Sequence, residues 1–171
     1  YRNIAELDRL VDELRLAGRL DAQEADIGTV ETIDLPGLAA EECARVDALL
    51  DTGDAQHTVE VPGVARLLRR AVRNLLENAR RYSQGDITVI LRRSPHSSDQ
   101  MAMAQVRVCD NGPGVPEALR ERIFYPLVSG RDGGSGLGLA LAQTFVQRHH
   151  GLLECDSVPG CTDFHWLIPL P

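Results

Sequence analysis

The stretch GVARLLRRAVRNLLENARRYS, residues 63 to 83, repeats its apolar residues at three- and four-residue steps. At about 100° per residue, Leu67, Leu68, Ala71, Val72, Leu75, Leu76 and Ala79 fall on one arc, with Arg66, Arg69, Arg73, Glu77 and Arg80 opposite. A long helix of this kind must lay its apolar face on another layer. Asn78 falls inside the arc and Asn74, one turn earlier, at its edge beside Arg81. Two amides stacked at i and i+4 on the core side need partners. Neighbouring backbone would satisfy them. So would a metal, because a side-chain carbonyl can give one oxygen to a Mg²⁺ whose other ligands are phosphates and water.

The rest of the chain can supply the second layer. At 171 residues it is long enough for one domain and a modest extra element, and 43% hydrophobic with 25% charged residues is a globular balance. YRNIAELDRLVDELRLAGRL reads as a helix whose Ile4, Leu7, Val11 and Leu14 seam pairs with another helix, stopping near Gly18. TVETIDL and HTVEV read as short strands, with LAAEECARVDALL as a helix between them. DITVILRR and AQVRVCD form one expected hairpin, GLLECDSV and TDFHWLIPLP a second, and GLGLALAQTFVQRHH a helix before it. Residues 112 to 135 are dense in glycine and proline, which predicts a mobile loop holding one helix-like patch, EALRERIF. Strands that follow one another directly, interleaved with helices, predict a two-layer α/β sandwich. Its sheet is mixed and has helices on one face.

Two further segments carry chemistry. In VRVCDNGPG, Asp110 shares the strand face of Val106 and Val108, so its carboxylate is turned to the core and wants a donor. Gly112 and Gly114 then allow close approach of a ligand, with Pro113 stiffening the turn. A plain Asx turn and a pocket floor accepting an exocyclic amino group both fit. In GRDGGSGLGLALA, Gly133, Gly134, Gly136 and Gly138 lead into a helix N-terminus, a ready phosphate site. It matches neither G-x-x-x-x-G-K-[ST] nor G-x-G-x-x-[GA].

The succession NLLENARRY, DNGPGV, IFYPLVSG and GSGLGLALA resembles the N, G1, F and G2 boxes of sensor histidine kinases, in the superfamily that holds gyrase, Hsp90 and MutL. IFYPLVSGRDGGSGLGLALAQ looks most like the nitrogen-regulation kinases. The resemblance implies a Bergerat-type ATP-binding fold of about five mostly antiparallel strands over residues 34–171. It makes residues 21–33 a linker and first strand, and residues 1–20 the second arm of a dimerising, phosphoacceptor helical hairpin.

By position, the resemblance implies Asn78 as the Mg²⁺ ligand with Asn74 in the same shell, Arg81 on phosphate and Tyr82 against adenine. Asp110 would bind the adenine amino group, and Thr162 would help it through water. Gly112 and Gly114 would admit the nucleotide, and Phe124 would anchor the lid. Arg131 would reach the γ-phosphate, while Gly134, Gly136, Leu137 and Gly138 would cradle phosphates. The catalytic set is then Asn74, Asn78 and Arg81, with ATP and Mg²⁺ as cofactors. Hydrolysing relatives carry a glutamate where Asn74 stands, and an amide cannot take a proton from water, so transfer is favoured over hydrolysis. Val64 stands where many relatives place an aspartate, which bears on capping.

The expected function is transfer of a γ-phosphoryl group to a histidine and on to a response regulator, in a full-length homodimer. The alternatives are an ATP-hydrolysing conformational switch and a non-catalytic nucleotide-binding module. None of His57, His96, His149, His150 and His165 has a phosphoacceptor context, so the fragment is expected not to phosphorylate itself. A start at Tyr1 suggests a piece of a longer protein, whose missing part could hold a membrane segment. A net charge of −7 argues against nucleic acid, and no run of about 18 apolar residues suggests membrane contact. Cys43, Cys109, Cys155 and Cys161 lack zinc-site spacing and read as reduced thiols in a cytoplasmic setting.

Overall fold

A computed structural model describes residue 11, residues 29–53, 59–83, 85–93, 103–115, 118, 123–124, 138–158 and 160–170. In chain order the elements are β1 (Glu31–Asp34), α1 (Leu35–Arg45), β2 (Leu49–Asp51), β3 (Glu60–Gly63), α2 (Ala65–Tyr82), β4 (Ile87–Arg93), β5 (Met103–Asp110), α3 (Gly138–Arg148), β6 (Leu152–Val158) and β7 (Cys161–Pro169).

Five strands form one mixed sheet in the order β2-β4-β5-β7-β6, parallel only between β2 and β4. Both expected hairpins are present as antiparallel pairs. The two early strands do not join this sheet. β1 and β3 pair with each other, from Glu31 opposite Gly63 to Asp34 opposite Glu60. The helix read over LAAEECARVDALL is too long at its C-terminal end. Asp34 caps its start, Asp47 at φ 54° turns the backbone out of the helix, and Leu49 to Asp51 become the sheet's edge strand. Three residues are too few to show an alternating period, so the signal for β2 lay in its neighbour β4 and not in its own sequence.

Alternation along β4, β5 and β7 buries one face of the sheet: Val89, Val108 and Phe164 make one cross-strand row, and Leu91, Val106 and Trp166 the next. The apolar arc of α2, and Leu141, Ala142, Phe145 and Val146 of α3, belong to the same core. This is the two-layer sandwich.

Polar contacts lock the helices together. Glu42 of α1, 2% exposed, holds Arg73 of α2 through Nε at 3.0 Å and Nη2 at 2.9 Å, and lies 3.4 Å from Arg69. Burial opposes its charge, but the bonds and charges of Arg73, Arg69 and Arg45 outweigh that and hold its carboxyl below the usual range. Val64 offers no side-chain cap to α2. Its own N–H donates instead to Nε2 of His149, just past α3, at 3.0 Å. His149 Nδ1 lies 2.7 Å from the Phe145 carbonyl, so Nδ1 carries the proton and the ring is neutral. His149 is a packing residue.

Candidate functional site

At one end of the buried face the cross-strand register aligns Ile87, Asp110, Thr162 and Ser157 in a single row across β4, β5, β7 and β6. The three polar members are 6%, 5% and 7% exposed. The next two rows, through Val108 and Val106, are apolar in β4, β5 and β7, so the sheet changes character where β5 ends and the glycine turn begins.

Asp110 Oδ1 accepts the Gly112 N–H at 2.8 Å. Oδ2 has no hydrogen-bond partner among the described residues. Burial pushes its pKa up, and the Gly112 N–H offsets only part of that. A carboxylate held this way gains from any donor that enters beside it.

The turn above Asp110 is pinned to the β6–β7 hairpin. Gly160 N–H donates to the Gly112 carbonyl at 3.0 Å, and Val115 N–H to Ser157 Oγ at 2.7 Å. Gly114 has φ 88°, and a Cβ there would lie 2.9 Å from Ser157 Oγ and 3.1 Å from the Val158 carbonyl. Only glycine tolerates both the conformation and the approach. Ser157 completes the site by lying 3.3 Å from Thr162 Oγ1. Motif matching does not select Ser157. The alternation Leu153, Cys155, Ser157, followed across the hairpin to Thr162, would have found it.

The two asparagines exchange the places that a helical wheel gives them. Asn74 is the buried one, 4% exposed, and Asn78 is half-buried. The cause is α3. Its first residue, Gly138, accepts the Asn74 Nδ2–H at 3.1 Å, so a neighbouring helix covers the position that the wheel left at the edge. Asn74 therefore straps α2 to the helix that follows the glycine-rich segment. The first turn of α3 itself contains no acidic residue, which suits a positive helix end that can receive an anion. Arg81 is exposed in the last turn of α2. The Phe124 ring meets Phe164 edge-on with centroids 6.2 Å apart, which ties the segment after the glycine turn to the core.

The structure thus brings together Asp110, Gly112, Gly114 and Thr162, and separately Asn74 with Gly138. Arg131, Gly134, Gly136, Leu137, the side chain of Tyr82 and most of the EALRERIF patch lie outside the described residues. Among the described residues no group of three or more His, Cys, Asp or Glu could hold a metal. A divalent ion here would need amide and phosphate oxygens. No helix among them is long and apolar enough to cross a membrane.

The model of the histidine kinase-, DNA gyrase B- and HSP90-like ATPases matches residues 63–171, from the end of β3 through β7. The chain belongs to this ATPase family. Relatives of the histidine-kinase type are among the similar ones. The sensory histidine kinase/phosphatase NtrB of Rhodobacter capsulatus is 33% identical over 183 residues, covering 95% of this chain and 52% of that protein. NtrB of Klebsiella oxytoca is 39% identical over 111 residues, covering 63% of this chain and 32% of its own length. The chain therefore spans about half or less of the curated relatives it matches. Among solved structures, the mycobacterial sensor histidine kinase MprB aligns with a TM-score of 0.68 at 28% identity, over 82% of this chain and 97% of that one. Full-length ShkA in complex with AMPPNP shares the fold, with a TM-score of 0.73 at 23% identity, over 95% of this chain and 35% of that one. The fold and architecture are those of the ATP-binding catalytic domain of histidine kinases, as the four boxes lead one to expect.

Proposed function

We propose that this chain is the catalytic part of a two-component sensor kinase. The whole protein would move the γ-phosphoryl group of Mg²⁺-ATP to a histidine on a helical hairpin, and then to an aspartate of a response regulator. Residues 1–20 would be the end of that hairpin, and the working unit a homodimer. The observation that carries this reading is Asp110, a buried carboxylate with one oxygen on the Gly112 N–H and the other without a partner among the described residues, beside a turn that only glycine can form.

Each residue then has a task. Asp110 accepts from the exocyclic amine of the base, with Thr162 beside it in the same row. Gly112 and Gly114 keep side chains out of the ring's way. Asn78, half-buried one turn beyond Asn74, offers its carbonyl to Mg²⁺, which neutralises phosphate charge when bound. Arg81, Arg131 and the amides around Gly134, Gly136, Leu137 and Gly138 hold the phosphates, Tyr82 packs on the base, and Phe124 anchors the lid. Asn74 acts mostly through its bond to Gly138, fixing the phosphate helix against α2. An amide engaged in this way is no general base, which favours transfer over hydrolysis. Positioning and charge neutralisation suffice for phosphoryl transfer to an imidazole.

The test mixes this chain with labelled ATP and an intact hairpin supplied in trans. Acid-labile label on the hairpin histidine, passed on to a regulator, is the expected result. The chain alone should stay unlabelled. Steady phosphate release without labelled protein would point to a hydrolysing switch, and binding with neither to a nucleotide-binding module.

A further inference from the structure

Ser157 lies outside the four boxes, yet it is the hinge of the polar row. Its hydrogen-bond bookkeeping has one solution. The Val115 N–H can only donate, so Ser157 Oγ accepts that bond at 2.7 Å. Ser157 is buried, and among the described residues its hydroxyl proton has one acceptor, Thr162 Oγ1 at 3.3 Å. Were Thr162 to donate instead, the Ser157 proton would be buried without a partner, which is the costlier arrangement. The chain of bonds therefore runs from Val115 N–H to Ser157 to Thr162. Thr162 sits between Ser157 on β6 and Asp110 on β5, so its own proton is left for an acceptor other than Ser157.

We propose that Ser157 is a specificity-determining positioning residue: by donating to Thr162 it makes the Thr162 hydroxyl a donor beside the Asp110 acceptor, a pair that selects adenine over guanine. An acceptor and a donor side by side match the amino group and adjacent ring nitrogen of adenine. Guanine offers a carbonyl and an N–H in those places, the reverse polarity. A water between Thr162 and the ring preserves the requirement when it also donates to the Asp110 carboxylate: one proton is then left for the ring nitrogen, and the water must accept from Thr162. The inference rests on the reading of Asp110 and Thr162 as the base-recognising pair.

The test measures the affinities of ATP and GTP for the 171-residue chain, Ser157→Ala, Thr162→Val and the double variant. The wild-type chain should prefer ATP. Ser157→Ala should narrow the ATP to GTP ratio about fivefold, because Thr162 can then turn and accept. Thr162→Val should narrow it by a similar factor, and the double variant no further than Thr162→Val alone. Ser157→Cys, a weak donor of nearly the same shape, should fall between wild type and Ser157→Ala, and serves if the alanine variant melts early. An equal loss for both nucleotides would make Ser157 only a strut for the glycine turn and overturn the inference, as would additive effects in the double variant. A wild-type chain that binds no ATP would sink the adenine reading itself, a different failure.

Discussion

Glu42 and Asp110 are both buried carboxylates in this core, and their surroundings are opposite. Glu42 lies on the buried side of α1 with Arg73 on both oxygens and Arg69 and Arg45 near, so its pKa is held down. Asp110 has one backbone N–H and, among the described residues, no cation bonded to it, so burial wins and its pKa is raised. A fully paired buried charge fixes two helices against each other. An underpaired one stores a cost that a ligand can relieve. Sequence shows two acids, and only their partners divide them into a structural and a functional one.

The contrast can be broken most forcefully at Glu42. Glu42→Ala leaves Arg73 without its bidentate partner and should cost about 3 kcal/mol of unfolding free energy, since the arginines keep some contact with water. Chemical denaturation would read it, and a loss under 1 kcal/mol would erase the distinction. Asp110→Asn should behave the other way. ATP affinity should fall about a hundredfold by calorimetry, as expected for losing a charge-assisted bond, while stability holds or rises. Equal affinity would remove Asp110 from the site.

Titration sharpens the same comparison through its sign. The folded pKa of Glu42 lies below its ordinary 4.5, so its contribution is complete above that pH and fades as pH falls through the folded value. The folded pKa of Asp110 lies above its ordinary 3.8, so between those two values the folded chain binds the extra proton and stability falls as pH rises. Binding of ATP, which needs the ionised form, should weaken on acidification before an ordinary carboxylate would titrate. Asp110→Asn should flatten that dependence, and an unchanged profile in the variant would assign it to another group.

The smallest expected effect is at His149, where burial, only partly offset by the Phe145 carbonyl, lowers the pKa below 6.5. The neutral ring's stabilisation is then complete above pH 6.5 and is lost as pH falls through the lowered value. His149→Phe keeps the ring but loses both bonds, and should cost about 1–2 kcal/mol at neutral pH while removing that acid-side decline. A thermal melt series over pH would show whether it does.

Much of the site was legible from residue order. Asp110 could be placed on the core face by its valines, and Gly114 by the demand for close approach. Both are local properties of a strand and a turn. Ser157 was illegible, because its meaning depends on lying opposite Thr162 and under Val115, contacts between strands and loops distant in the chain. Asn74 and Asn78 were found but ranked in the wrong order of burial, because a helical wheel sees one helix and the cover came from α3.

The sequence by itself determined the helix of residues 65–82, both hairpins, the ATPase family and the acid at the end of β5, since periodicity and short motifs are written in neighbouring residues. Tertiary structure alone decided that β1 and β3 leave the main sheet, that β2 closes its edge, and that Glu42 is paired while Asp110 is left open. Those outcomes turn on which groups meet across the core, and the free energy of a buried charge is set by its partners in space.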